Sequence, residues 1–455
     1  VTVTPRTAPR GYASPPLRAL PSLLRQLAGD RLAMMRAAAG YGDAVRIPLG
    51  PKTLYVFNHP DHAKHVLTDN AANYRKGIGL TQAKRALGDG LLTSEGELWR
   101  RQRKVVQPAF HHGRIARQAP VVAEEAAGLV ARLRAHAGRG PVDLTRELTG
   151  LTLGVLGRSL LDSDLGAFSD LGHAFEVVQD QAMFEMVTMS AVPTWVPLPG
   201  QLRFRRARAR LQQVVGQLAR DRTARGGIVE GDDALSRLVV SVREEARPRT
   251  RERRLRDELI TLLLAGHETT ASTLGWTCYL IDRHPEVRER LRGEALDVLG
   301  EHRLPEYGDL VRLRFTALAV EEAMRLYPPV WILPRQALAD DEVCGHRVPA
   351  GADVLICPYT LHRHPGFWEA PEQFLPERFA PEHRAGRPRY AHLPFGAGPR
   401  VCVGSSLGMM EAVFTVALLC RELRLEKLPG YQVRPEPKLS LGLRGGLPVT
   451  VHRVP

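Results

Sequence analysis

The sequence predicts a mainly α fold with a small β-rich part, built as a single large domain. Three observations lead there. Apolar residues recur at helical spacing through most of the 455 residues, and alternating patterns are confined to short patches. One helical run, residues 255–283, ends just before Pro285 and is long enough to cross a whole domain at about 1.5 Å per residue. No break in composition marks a linker, and no repeat of solenoid length is present.

The elements follow in order. Residues 1–17 are polar and Pro-rich, which predicts a flexible N-terminal segment; residues 18–455 form the domain. Residues 18–35 are Leu-rich but broken by Arg18, Arg25, Asp30 and Arg31, so they suit a membrane surface and cannot span one cheaply. Residues 44–56 read as two short strands around Gly50-Pro51. Residues 66–84 are irregular. Helices are expected over 97–107, 118–135, 142–161 and 168–189 by apolar spacing. A Pro-rich loop (192–201) leads to a basic helix that opens LRFRRARARL. Residues 247–256 are charged and expected to begin exposed, ahead of the long helix. Helices over 285–300 and 310–327 come next, then strand-like and loop segments over 328–379. A last helix covers 405–424, and strands occupy 433–454.

Composition bounds the function. Hydrophobic residues make up 44% and charged residues 25%, which fits a globular chain and excludes a disordered or fibrous one. The net charge of +14 comes from 56 Arg and only seven Lys, spread along the whole chain as a high-GC genome would spread them. Aromatics at 6% are too few to interleave with Arg for single-strand nucleic-acid binding. The five cysteines are sparse and odd in number, without CxxC, which argues for a reducing, cytoplasmic setting and against a disulfide framework. Cys278, Cys357 and Cys420 lie in apolar runs and read as core. Cys344, His346, His362 and His364 fit no standard zinc spacing and read as loop residues.

The strongest chemical signal is the run Pro394-Phe395-Gly396-Ala397-Gly398-Pro399-Arg400-Val401-Cys402-Val403-Gly404, directly before a long helix. Three glycines let the backbone bend toward the sulfur, and the helix that follows presents its positive end. Both favour a thiolate, the form that binds metal. One thiolate alone is wrong for structural zinc and suits an axial ligand of haem iron.

This run resembles the haem-binding loop of the cytochrome P-450 family, and further motifs in the expected order extend the resemblance over most of the chain. Glu322-Ala323-Met324-Arg325 matches ExxR, and Pro376-Glu377-Arg378-Phe379 matches the segment whose Arg joins that pair in a buried ion network. Ala265-Gly266-His267-Glu268-Thr269-Thr270 is similar to the family's (A/G)Gx(D/E)T signature. There the glycine, with a Thr269 hydroxyl turned back to the Ala265 carbonyl, predicts a local opening of the helix.

The resemblance implies a haem b enzyme ligated by Cys402, with Ala265, Phe395 and Gly404 against the cofactor and Trp99, Arg103, Arg335 and Arg400 toward its propionates. Glu268 and Thr269 would deliver protons. Met183, Val330, Trp331 and Leu443 would meet substrate. The implied reaction is insertion of one oxygen atom from O2 into a hydrophobic small molecule, as in soluble actinobacterial members that tailor antibiotics, terpenes or polyketides. No fused flavin or iron–sulfur motif is present, so the implied electron donors are a ferredoxin and its reductase, steered by Arg100, Arg101, Arg103 and Lys104. Peroxide-driven oxidation, oxidative coupling and non-catalytic haem sensing remain as alternatives.

Overall fold

In the computed structural model, Ala44–Leu49 and Lys52–Phe57 pair antiparallel from Ala44↔Phe57 to Leu49↔Lys52, the hairpin the alternation predicts. Val45 and Ile47 point inward and Arg46 outward, so the period of two sets the buried face. The structure describes residues 11–49, 52–163, 165, 171–188, 190–193, 195–224, 234–242 and 247–454. The Gly50-Pro51 turn therefore lies outside the described residues, as does most of the expected flexible segment.

Among the described residues the chain forms two compact units. The first comprises Val1–Gln82, Val330–Gln373 and Arg384–Cys402. Its five-stranded sheet runs Ala44–Leu49, Lys52–Phe57, Asp353–Ile356, Leu333–Ala337, Tyr74–Lys76. Asp353–Ile356 is central and buried throughout, and it pairs in parallel with Lys52–Phe57 and antiparallel with Leu333–Ala337. Tyr12 and Ala13 correct part of the flexible-segment expectation. Ala13 bridges Val45, and the Tyr12 ring packs on Tyr55 and His346, because the hairpin presents an aromatic surface that polar composition alone does not reveal. The Leu-rich stretch that follows is two helices, Leu20–Gly29 and Arg31–Ala39. Asp30 separates them and caps the second, its side chain accepting from Ala33 N at 3.0 Å.

The second unit comprises Ala83–Pro329, Phe374–His383 and Val403–Pro455 and carries the long helices. The longest, Pro248–Asp282, has 35 residues and spans about 52 Å at 1.5 Å per residue. It begins seven residues before the expected start. Pro248 suits the first helical turn, and the charged residues that looked like a boundary form its polar opening turns. It packs against Leu144–Leu160, where a Cβ at Gly266 would come within 2.6 Å of Leu156. Ser405–Glu422 is buried along most of its length and lies against His112–His136. A hairpin, Pro435–Pro437 with Leu441–Leu443, and a three-stranded sheet of Val142–Asp143, Pro448–Arg453 and Leu423–Lys427 complete the unit. No described helix is long and apolar enough to cross a membrane.

Candidate functional site

In the first unit the Cys402 loop folds on its own backbone. Gly396 N donates to Leu393 O, Val401 N to Gly398 O, and Cys402 N to Phe395 O at 3.0 Å. Gly396 and Gly398 sit at φ +70° and +69°, where a side chain is strained. At Gly398 a Cβ would also collide with the carbonyl oxygen of Leu67, so the loop lies flat on the turn His65–Asp69 only because glycine is there. Upstream, His362 Nε2 accepts from Leu393 N at 2.8 Å and fixes the entry to the loop.

The five thiols differ sharply. Cys278, Cys357 and Cys420 are buried, and desolvation pushes their thiols up, to about 12 for Cys278 and about 11 for Cys357. Burial therefore disfavours their thiolate forms. Cys344 is exposed at φ +49° in the turn between Asp341–Val343 and His346–Val348. Cys402 is exposed inside the glycine loop, three residues before the helix Ser405–Glu422. Phe395 and Arg400 are half-buried in the same loop. Arg335 is buried on Leu333–Ala337, its Nη1 donating to Pro334 O. Val330 and the buried Trp331 belong to this unit; the Trp331 carbonyl accepts from the Cys357 thiol at 3.1 Å.

In the second unit the expected ion network is assembled. Arg325 Nε donates to Glu322 Oε2 at 2.6 Å and its Nη2 to Oε1 at 2.8 Å. Arg378 Nε adds 3.2 Å to Oε1, and Leu375 N donates to the same oxygen at 3.0 Å. Glu322 and Arg325 are fully buried, so the saturation of this carboxylate is what makes its charge tolerable inside. Trp99 and Arg103, at i, i+4 on Gly96–Val106, are both half-buried on one face, while Arg100, Arg101 and Lys104 are exposed.

The long helix runs unbroken through its signature, which corrects the expected opening. Gly266 serves close packing on Leu156, and the Thr269 hydroxyl returns to Ala265 O at 2.7 Å without interrupting the helix. Thr273 and Thr277 repeat that bond to Thr269 O and Thr273 O, at 2.9 and 2.7 Å. His267 is buried against Phe175, its Nδ1 on Leu263 O, and burial pulls it down to about 4, so it is neutral.

Glu268 is the chemically tuned group. Desolvation raises its carboxyl to about 7, opposed by hydrogen bonds from Ser440 and Gln179 and by the charge of Lys438, and reinforced by Glu176. Ser440 Oγ donates to Glu268 Oε1 at 2.5 Å. Lys438 itself pairs with Asp180 at 2.9 Å; burial opposes its charge, and that pairing with Asp180 and Glu436 outweighs burial and raises it. The hairpin that brings Ser440 is tied to the helix again by Leu441 O, which accepts from Ser272 Oγ at 2.6 Å and Trp276 Nε1 at 2.9 Å. Leu443 packs on Gly275 of the same helix, and Met183 is buried on Leu171–Val187. Sequence reading missed Ser440, Gln179 and Lys438: they lie 172, 89 and 170 residues from Glu268, and no local pattern pairs them with it.

A family model described as cytochrome P-450 matches residues 16–449. The chain belongs to the cytochrome P-450 family. It is 37% identical over 427 residues to cyclooctatin synthase of Streptomyces melanosporofaciens, covering 91% of each chain. It is 34% identical over 401 residues to cyclooctat-9-en-7-ol 5-monooxygenase of the same organism, covering 88% of this chain and 86% of the other. It is 31% identical over 410 residues to pentalenene oxygenase of Streptomyces avermitilis, covering 89% of each. As a cytochrome P-450 monooxygenase, the protein binds haem b and uses O2, redox partners and a hydrophobic substrate. The residues present fit that cofactor: Cys402 stands exposed in a glycine cradle, whereas burial disfavours the thiolate forms of Cys278, Cys357 and Cys420.

Proposed function

We propose that residues 18–455 are a haem domain in which Cys402 would hold the iron through its sulfur. The carrying observation is the contrast between its exposed sulfur in a loop that only glycine can form and the buried Cys278, Cys357 and Cys420, whose thiolate forms burial disfavours. On this reading Ala265, Phe395 and Gly404 would line the cofactor, and Trp99, Arg103, Arg335 and Arg400 would hold its propionates, the arginines through their fork-shaped donors. Glu322, Arg325 and Arg378 brace the scaffold as one buried unit. When bound, haem supplies O2 activation and electron acceptance.

The chain's own residues supply protons and shape. Glu268, titrating near neutrality, holds a proton on its carboxyl and gives it up at working pH. The Thr269 oxygen keeps lone pairs free to accept a proton donor while its hydroxyl hydrogen engages Ala265 O. Met183, Val330, Trp331 and Leu443 select a hydrophobic substrate. We assign that substrate to the terpenoid-like secondary metabolites, in keeping with the alkenol and alkene in the relatives' names. The electron donor is a ferredoxin with its reductase, recruited in the cytoplasm by exposed Arg100, Arg101 and Lys104.

The test is the carbon monoxide spectrum of the reduced, haem-loaded protein, with Cys402→Ser beside it, followed by turnover of terpene alkenes and alkenols under labelled O2. A thiolate-type spectrum lost in Cys402→Ser, with label in product, is expected. A spectrum unchanged by Cys402→Ser overturns the ligand assignment. Peroxide-only turnover overturns the O2 reaction.

A further inference from the structure

Cys278 and Cys420 have no part in the reaction described above. Both belong to the second unit, Cys278 near the end of Pro248–Asp282 and Cys420 near the end of Ser405–Glu422, and these two helices pack together. Both residues line one small cavity of about 20 Å³. The rest of its wall is aliphatic, with Ile281, Val416 and Leu423 among it, except for Arg288. Neither cysteine is in a disulfide, and they keep 7% and 6% of their surface accessible, which leaves an ion a way in.

A void of this size has room for about one water. Water is a poor tenant here, because a buried water needs about two to four good hydrogen-bond partners and thiols are weak ones. Close packing would ordinarily fill the space with carbon. Two sulfurs on its wall suit a soft cation instead. Among the described residues no group of three or more His, Cys, Asp or Glu is placed to hold a metal, so zinc, which wants four ligands, does not fit. Copper(I), a soft closed-shell ion, is satisfied by two sulfurs in line.

We propose that Cys278 and Cys420 form a two-sulfur site for copper(I). One Cu⁺ replaces two thiol protons, which pass to solvent, and the resulting bis-thiolate carries a single negative charge. Arg288 favours that charge at Cys420, while Asp282 beside Cys278 and Glu289 beside Cys420 oppose it. The copper–sulfur bonds displace the protons outright and so overcome the burial that disfavours the free thiolates. The cavity is far too small for a porphyrin, so the site is no rival to Cys402. Bound copper ties the end of the long helix to the end of Ser405–Glu422 and stabilises the second unit.

The test titrates the haem-loaded full chain with copper(I) under argon, in competition with the chromophoric chelator bicinchoninate. Parent, Cys278→Ser, Cys420→Ser and, as a control, Cys344→Ser are compared at matched haem content. Cys278→Ala and Cys420→Ala run beside them, because a hydroxyl without a partner in an apolar wall can itself unsettle the fold. The parent should take up one copper per chain, and copper-edge X-ray absorption should show sulfur neighbours alone. Loss of either Cys278 or Cys420 should weaken uptake on the order of a hundredfold, and Cys344→Ser should leave it unchanged. No copper held against the chelator overturns the proposal, as do nitrogen or oxygen neighbours in the parent, a result that needs no variant. Equal uptake by the parent and both Cys278 and Cys420 variants overturns it too, as does uptake lost in Cys344→Ser. A Cys278–Cys420 disulfide formed on adding copper would assign the pair to redox chemistry and also overturn it.

Discussion

Replacing Ser440 by Ala should move the Glu268 titration, to which the proposed proton delivery ties turnover. The hydroxyl donates to Glu268 Oε1 over 2.5 Å and opposes the desolvation that lifts this carboxyl to about 7. A hydrogen bond to a charged acceptor is worth about 1.5–3 kcal/mol, and about 1.36 kcal/mol corresponds to one pH unit, so its loss carries the titration upward by about one to two units. The direction follows from which form the bond favours. It favours the ionised carboxylate, and without it the proton is held more firmly. With Glu268 as the proposed proton donor, the protonated form is the active one, so turnover should fall as pH rises through the titration, and the falling limb of the pH–rate profile should shift upward in Ser440→Ala. Ser440→Thr, which keeps a hydroxyl, should keep the limb in place. Glu268→Gln should abolish it. A limb unmoved by Ser440→Ala but abolished by Glu268→Gln would refute the role of Ser440, and a limb unmoved by both would refute that of Glu268. The same carboxyl links stability to pH. Its folded titration lies above the ordinary 4.5, so its contribution is complete below about pH 4.5 and is lost as pH rises through about 7. Glu268→Gln should remove that part of the decline in thermal denaturation across this window.

Gly398→Ala combines a strained backbone with a collision at Leu67 O, whereas Gly396→Ala meets nothing within 4 Å; haem content should fall sharply in the first and mildly in the second, and equal losses would contradict the packing argument. Glu322→Ala leaves Arg325 and Arg378 as uncompensated interior charges and should cost about 3–5 kcal/mol in urea unfolding, against an unchanged midpoint if the triad does not hold the scaffold. Arg101→Glu should raise the apparent KM for ferredoxin and flatten its salt dependence; donor kinetics identical to the parent's would remove this face from the docking site.

What the sequence disclosed depended on how local the signal was. The Cys402 loop and the Glu322–Arg325 pair are short-range patterns, and the structure assembles the latter with Arg378. The hairpin at 44–57 followed from alternation. The start of the long helix was hidden because charged residues read as a boundary when they form polar turns of the same helix. Gly266 was legible as an exception to helix propensity, but its cause, the approach of Leu156, is a tertiary contact. The environment of Glu268 was not legible, because Gln179, Lys438 and Ser440 reach it from distant parts of the chain.

The fastening of the C-terminal hairpin to the long helix has a practical side. Leu443, offered as a selectivity position, sits three residues from the serine that steadies the acid and two from the carbonyl gripped by Ser272 and Trp276. Anyone reshaping this hairpin to admit a new substrate will also be retuning catalytic tempo, so libraries there are best screened for rate and regiochemistry together.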